Sequence, residues 1–252
     1  MGGHSHWAGI KHKKAITDAK KGKVFTKLIR EITIAAKLSG GDPGTNPRLR
    51  KAIEDSKEVN MPQDNIKRAV MKGTGQIPGV MFEEVTYEGY GPAGIAVMVE
   101  GTTDNRNRTF SELRKIFESY AGNIGTSGCV SWMFEQKGFI TVAKNAVKED
   151  DLINLTLEAG ADDVKNEPGA EEYEITTPPA DLENVKNKLK EKNVPISAAE
   201  VSMLPKNYVD VGEDKARQVM DLMEGLENHD DVKNVYSNFD IPEEVMNKLM
   251  KQ

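Results

Sequence analysis

The stretch Gly138-Phe139-Ile140-Thr141-Val142 decides the fold of this chain. It is a short apolar run rich in β-branched residues, which predicts a buried strand over 139–142. A helical pattern follows it, and two further strands are predicted around Val164 and over 174–176. A helix opened by Pro179 and a strand over 199–204 complete the order β-α-β-β-α-β. That order is typical of a ferredoxin-like domain, predicted over 138–204.

The segments on both sides of 138–204 predict a second domain that the first one interrupts. They are strands over 85–87, 95–99, 129–134 and 232–239, and helices over 105–120 and 213–226. From residue 94 onward these pieces form a second β-α-β-β-α-β set. We therefore predict an insertion of 138–204 into a discontinuous domain of 80–137 plus 205–241. Three domains strictly in series are the alternative.

Residues 15–79 predict a helical domain. Apolar residues recur at three- and four-residue spacing from Asp18 to Ala36, and turn residues follow. Asn46-Pro47 has the form of a helix cap with a first-turn proline, and Pro62 opens a third helix that Gly73 closes. The overall expectation is an α+β protein: an N-terminal helical bundle and two ferredoxin-like α/β domains, one inserted into the other.

The first fourteen residues are rich in glycine and poor in apolar side chains, so they predict an extended arm rather than a core element. They carry lysines beside one indole and three imidazoles: Lys11, Lys13, Lys14, Trp7, His4, His6 and His12. Lysines pair with phosphates, and aromatic rings stack on unpaired bases. The arm therefore predicts nucleic acid as the partner.

Charge is divided unevenly along the chain. Residues 1–80 contain 16 Lys and Arg against 7 Asp and Glu, a net charge of +9, whereas the remainder carries 18 basic and 33 acidic groups, a net charge of −15. The overall pI near 5.4 hides this division. A basic head on an acidic body favours a polyanion-binding protein over a merely lysine-rich helical domain.

Several classes of protein are disfavoured. No apolar run reaches the ~20 residues of a membrane span, and neither a signal peptide nor an Arg/Ser-rich presequence is apparent. The single cysteine, Cys129, cannot form an internal disulfide framework and is expected to be a small buried hydrophobe. These features predict a cytoplasmic protein. The usual catalytic motifs of hydrolases, nucleotide-binding enzymes and zinc proteases are missing from the sequence, so we predict no catalytic residue and no cofactor.

Two motifs could bind phosphate groups and also have a purely structural interpretation. Residues 89–94 match G-x-G-x-x-G, but the stretch leads into a strand instead of a helix, so a hairpin connection is the better interpretation. Residues 102–109 place Arg106 and Arg108 in the first turn of a helix, where cations oppose the helix dipole unless an anion is recruited. Phosphate binding and an internal salt bridge are equally supported there.

The histidines also permit metal chemistry. If Met1 is removed, a Gly2-Gly3-His4 terminus can wrap Cu(II) or Ni(II) in a square plane. A zinc site from the three arm histidines lacks a nearby carboxylate or thiolate. We therefore predict no functional metal site.

The arm resembles that of the YebC/PmpR family, with Gly3-His4-Ser5, Trp7 and Ile10-Lys11-His12-Lys13-Lys14. Other matching stretches are 25–32, 60–62, 87–92 and 104–109. His6 stands where many relatives carry a basic residue. The resemblance spans essentially the whole chain, and it implies a helical N-terminal domain followed by two α/β domains.

The resemblance further implies a non-enzymatic regulator of gene expression. Relatives are described either as DNA-binding transcriptional regulators or as ribosome-acting factors that relieve stalling at proline runs. The lysine-rich helix over 20–37 suits phosphates better than base edges, which favours rRNA or tRNA on a ribosome; duplex DNA stays open. A metal-dependent nucleic-acid enzyme and a protein–protein adaptor are hypotheses of other classes. No small-molecule substrate or membrane is expected, and the oligomeric state is left open.

The residues predicted to contact nucleic acid lie in the arm, in the first helix and at 106–108. They are His4, His6, Trp7, Lys11, His12, Lys13, Lys14, Lys20, Lys21, Lys23, Lys27, Arg30, Arg106 and Arg108.

Overall fold

A computed structural model describes residues 18–250, and within its terminal helices the side chains of 18–21, 243, 244, 247 and 250 are not described. The described chain combines helices with several sheets, and both four-stranded sheets are antiparallel, which is consistent with the α+β class. None of the helices in the described part combines the length and apolar content that crossing a membrane requires.

The helical unit consists of α1 (Asp18–Ser39), α2 (Pro47–Glu58) and α3 (Gln63–Gly73). Its apolar core contains Ile32 and Ala35 from α1, Leu49 from α2 and Ile66 from α3. The predicted cap at Asn46 is confirmed: its side chain accepts a hydrogen bond from the Leu49 N–H at 3.0 Å and donates to the carbonyl oxygens of Ala35 and Gly40, each at 2.8 Å. This buried amide fixes α2 against the end of α1.

The central unit is formed by two segments of the chain. Its elements are β1 (Glu83–Tyr90), β2 (Ala96–Thr103), α4 (Arg106–Ser119), β3 (Asn123–Ile124), β8 (Val209–Asp210), α7 (Glu213–Glu227), β9 (Val232–Ser237), β10 (Phe239–Asp240) and α8 (Glu243–Met250). The main sheet has the order β3-β1-β2-β9, and every neighbouring pair is antiparallel. Helices α4 and α7 pack over a shared core that includes Leu113, Phe117, Leu222 and Phe239.

The strand predicted at 129–134 is wrong. Residues 131–133 form a 3-10 turn, and the next strand starts at Phe134. The backbone instead wraps around the buried Glu88 carboxylate, which accepts hydrogen bonds from the N–H groups of Gly128, Val130 and Ser131, all at 2.8 Å. Strand β1, which precedes residue 94, pairs with both β2 and β3, so the strands of this sheet do not begin at residue 94 as predicted.

The third unit follows with β4 (Phe134–Ala143), α5 (Glu149–Glu158), β5 (Asp163–Lys165), β6 (Glu172–Thr177), α6 (Leu182–Glu191) and β7 (Ala198–Pro205). Its antiparallel sheet has the order β5-β6-β4-β7. Its core, around Ile140, Leu152, Ile175 and Leu189, is separate from the core of the central unit. Strand β9, which follows the third unit along the chain, pairs with β2 in the main sheet of the central unit.

Candidate nucleic-acid interface

Half of the predicted contact residues lie outside the described part of the chain. These are the arm residues His4, His6, Trp7, Lys11, His12, Lys13 and Lys14. Lys20 and Lys21 lie in α1, but their side chains are not described. Nucleic-acid binding by these nine residues stays a prediction.

The basic face of α1 is directed at the central unit. Lys23 and Lys27 lie one turn apart and donate from Nζ to the carbonyl oxygens of Asn228, at 2.9 Å, and Glu227, at 2.6 Å. These carbonyls stand at the C-terminal end of α7, where backbone acceptors lack helical partners and the dipole favours cations. The two lysines therefore act as caps for a helix of another unit.

Arg30 continues this face one turn further along α1. Its guanidinium donates to the Asp230 carbonyl oxygen at 2.6 Å and forms a short ion pair with Asp231. It also lies 5.5 Å from the ring centroid of Phe82, in cation–π contact. We call Lys23, Lys27, Arg30 and Asp231, with the carbonyls of 227–230, the interdomain clamp.

Asp231 is the acceptor at the centre of the clamp, and its side chain is only 2% exposed. Besides Arg30 it accepts from Arg108 Nη2 at 3.1 Å, from the Thr103 hydroxyl at 3.2 Å and from the Thr109 hydroxyl. Burial acts to raise the pKa of this carboxyl, but the hydrogen bonds from Thr109 and Arg108 and the charge of Arg30 outweigh it, so the pKa is lowered. Asp231 therefore stays ionised.

Arg106 and Arg108 form internal salt bridges, which is one of the two alternatives predicted for residues 102–109. Arg108 pairs with Asp104 at 2.6 Å as well as with Asp231, and Arg106 Nε lies 2.8 Å from Glu83. Asn105 caps α4, because its side chain accepts from the Arg108 N–H at 3.1 Å. Arg106 is 62% exposed, so water screens its pair with Glu83 and leaves the guanidinium accessible. Phosphate binding by either arginine stays a prediction.

A second ionic cluster joins the helical and central units. Arg48 of α2 bridges Glu31 at 2.7 Å and Glu84 at 2.7 Å, and Lys233 of β9 contacts Glu31 at 3.0 Å. Burial acts to raise the pKa of Glu31, but Arg48 and Lys233 together lower it. The helical unit is therefore held at two points, and much of its positive charge is neutralised within the protein.

Cations on the outer surface of the helical unit differ from those of α1. They are exposed and form no ion pair with any described residue: Arg50, Lys57, Lys67, Arg68 and Lys72. Sequence reasoning missed them because it selected the cations of the arm, of the first helix and of residues 106–108. The signal that could have found them is the apolar period of α3, which directs Ile66 and Ala69 inward and leaves Lys67 and Arg68 outside.

Comparison with known proteins identifies two regions of the chain. Residues 5–76 match the TACO1/YebC protein N-terminal domain, and residues 82–239 match the TACO1/YebC second and third domain. The chain belongs to the TACO1/YebC family. The resemblance of the arm to YebC/PmpR proteins is thereby confirmed, and the clamp joins the two matched regions of the family.

Individual TACO1/YebC relatives are similar over their full length. A protein of Endomicrobium trichonymphae is 59% identical over 249 residues, with 99% of each chain covered, and one of Elusimicrobium minutum (strain Pei191) is 57% identical over 252 residues, with 100% of each covered. Both are named probable transcriptional regulatory protein. A crystal structure of a conserved hypothetical protein from Aquifex aeolicus superposes with a TM-score of 0.81 at 51% identity, covering 94% of this chain and 98% of that one.

The one histidine in the described part, His229, lies beside the clamp. With Glu112 and Asp231 it forms a group whose ligand atoms lie within 4.8 Å of one another. His229 Nδ1 accepts from the Asp231 N–H at 3.1 Å, and Nε2 lies 3.0 Å from Glu112 Oε2. His229 Nδ1 and both Asp231 oxygens already accept hydrogen bonds from protein donors, and Nε2 already contacts the Glu112 carboxylate. The group is therefore a hydrogen-bond network that supports the clamp.

Trp132 is the most prominent exposed aromatic side chain of the described residues, at 63%. The sequence pattern placed it in an apolar strand, whereas the turn around Glu88 carries it outward. Its indole Nε1 donates to the Cys129 carbonyl oxygen at 3.1 Å, which the Tyr90 hydroxyl also contacts at 3.1 Å. Cys129 itself is half-buried, and burial raises the pKa of its thiol, which suits the expected inert residue.

An open concavity of about 960 Å³ lies in the third unit between residues 144–149 and 192–194. Lysines and carboxylates alternate along its wall, and Lys144 is held by the Glu167 carbonyl oxygen at 2.7 Å and by the ring of Tyr173. Cations and anions of similar number give this wall no net preference for a charged ligand.

Proposed function

We propose that this chain is a non-enzymatic nucleic-acid-binding factor that regulates gene expression. The names of the similar proteins support a regulatory role, and the +9 charge of residues 1–80 supports a polyanionic partner. The observation that carries the proposal is the set of exposed cations on the outer surface of the helical unit that form no ion pair with a described residue. Positive charge that no acidic neighbour neutralises is available for phosphates.

The clamp sets which cations are available. Phosphate contacts by Lys23, Lys27 and Arg30 would require their bonds to α7 and Asp231 to break. We therefore assign phosphate binding first to the arm and to the outer cations, and positioning to the clamp. The clamp holds α1 against the central unit. This account treats 138–204 as a domain inserted into the 80–137 plus 205–241 domain.

Two partners fit this function in a cytoplasmic protein. Ribosomal RNA or tRNA on a ribosome fits an arm that combines an indole with lysines, because unpaired bases in RNA accept stacking. The role would then be that of a translation factor that relieves stalling at proline runs. Duplex DNA fits the printed names of the relatives, which are those of transcriptional regulators.

Sedimentation with ribosomes, with and without competing duplex DNA, separates the two partners. Attachment that excess DNA does not displace supports the translation role, and displacement by DNA with tight binding to free duplex supports the transcriptional role. A chain that binds neither ribosomes nor free nucleic acid at low salt would contradict the proposed function.

A further inference from the structure

Helices α2 and α3 follow each other in the order of a helix-turn-helix. Only four residues separate Glu58 from Gln63, the length typical of this motif. Asn60 at φ 59° is in the left-handed region that Asn tolerates, so the chain reverses sharply there. Met61 is 5% exposed and packs in the core with Ile66, so the core fixes the start of α3 rather than the turn alone.

The outward face of α3 carries a definite pattern. Ile66 and Ala69 point into the core, so helical geometry places Asp64 and Arg68, one turn apart, along the middle of the exposed side. Lys67 and Lys72 flank this pair on its two sides, and all four residues are exposed. None of them forms an ion pair with a described residue.

The described cations of the other two helices are arranged differently. On α1, the clamp occupies Lys23, Lys27 and Arg30, and Lys37 donates to the Phe82 carbonyl oxygen at 3.0 Å. On α2, Arg50 and Lys57 form no ion pair with a described residue, but Lys51 pairs with Asp55. The exposed Glu54 and Glu58 lie on the same helix, so anions offset its cations. Helix α3 therefore presents the described surface of the unit where cations dominate and no internal partner competes.

The arrangement matches the chemistry of duplex DNA. At 11 residues, α3 is about 16 Å long, and the major groove, about 12 Å wide, admits a helix. Arg can donate to guanine O6 and N7 and Asp can accept from cytosine N4, while flanking lysines meet the phosphates of the two strands. The major groove of A-form RNA is too deep and narrow for this contact.

We propose that α3 enters the major groove of duplex DNA, with Asp64 and Arg68 at base edges and Lys67 and Lys72 on phosphates. This inference rests on the proposed function and specifies its partner. It adds to the arm a second contact surface, one that can distinguish base pairs.

The test uses the full chain, a fluorescein-labelled 30-base-pair duplex of random sequence and a single-stranded RNA of equal length. Anisotropy titrations from 0.05 to 0.3 M salt compare wild type with K67A/K72A and with the control K188A/K190A, which removes equal charge from α6. Loss of two phosphate contacts should make the slope of log affinity against log salt shallower by about 1.8. At 0.1 M salt this corresponds to duplex binding that is about 60-fold weaker. The control should stay within about threefold of wild type.

The outcomes separate the inference from the function on which it rests. If wild type binds the duplex and K67A/K72A binds it with the same affinity and salt slope, the α3 inference is overturned and the proposed function still stands. A weakening confined to RNA would overturn the assignment to duplex DNA. No binding of either polymer by wild type would overturn the proposed function itself. In a selection from random duplexes, R68A should lose a guanine that wild type prefers.

Discussion

Removing the Asp231 carboxylate should weaken the contact between the helical unit and the central unit. Asp231→Ala deletes the acceptor of two guanidinium groups and two hydroxyls at a site that is 2% exposed. Arg30, 15% exposed, would be left without its ionic partner. We expect the free energy of unfolding to fall by about 3–5 kcal/mol, the usual cost of breaking a buried ion pair.

Arg30→Ala should cost less, about 2–3 kcal/mol, because Asp231 keeps Arg108 and both threonines. The two losses should not add, since both variants remove the same ion pair. Urea denaturation of wild type, both single variants and the double variant measures this coupling.

Asp230→Ala is the matched control. Asp230 precedes Asp231 and is exposed, and Arg30 contacts its carbonyl oxygen rather than its carboxylate, so that bond survives the substitution. We expect a change within about 0.5 kcal/mol. An Asp231→Ala variant as stable as this control would refute the assignment of the clamp.

Three further predictions concern packing, pH and the exposed indole. Gly73→Ala would place Cβ 2.3 Å from the Thr33 carbonyl oxygen, so it should destabilise the α1–α3 contact by about 1–3 kcal/mol in urea denaturation; wild-type stability would contradict this packing. The pKa values of Asp231 and Glu88 are both lowered, so their contribution to stability is present above the unfolded pKa values near 4 and is lost as pH falls through the folded ones. Thermal unfolding from pH 7 to pH 2 should show this loss, and a smaller one in Asp231→Asn. Trp132→Ala should leave the midpoint of thermal unfolding within about 2 °C, because the indole is exposed; a larger fall would mean that it packs internally.

Local patterns in the sequence were sufficient to predict most elements. The Asn46-Pro47 cap, the helix closed by Gly73 and the strand around Ile140 each depend on neighbours along the chain, and the structure confirms them. The strand at 129–134 could not be predicted correctly, because the acceptor that bends it is Glu88, about 40 residues away.

The candidate interface shows the same division. Composition located the positive charge in residues 1–80, but the partners of α1 come from 227–231, some 200 residues distant. Periodicity alone cannot tell a cation that faces solvent from one that faces another unit. The structure distinguishes the two groups, because Lys23, Lys27 and Arg30 of α1 have partners in the clamp. The exposed cations of α3 form no ion pair with a described residue.

The salt dependence of binding tests the central claim most directly. If the arm and outer cations grip phosphates, log affinity of the full chain for labelled duplex or single-stranded RNA should fall linearly with log salt, with a slope of about −3.5 to −4.5 for some five contacts. Lys11→Ala/Lys13→Ala/Lys14→Ala should bring that slope closer to zero by about 2 to 3. A flat response in wild type would contradict the account.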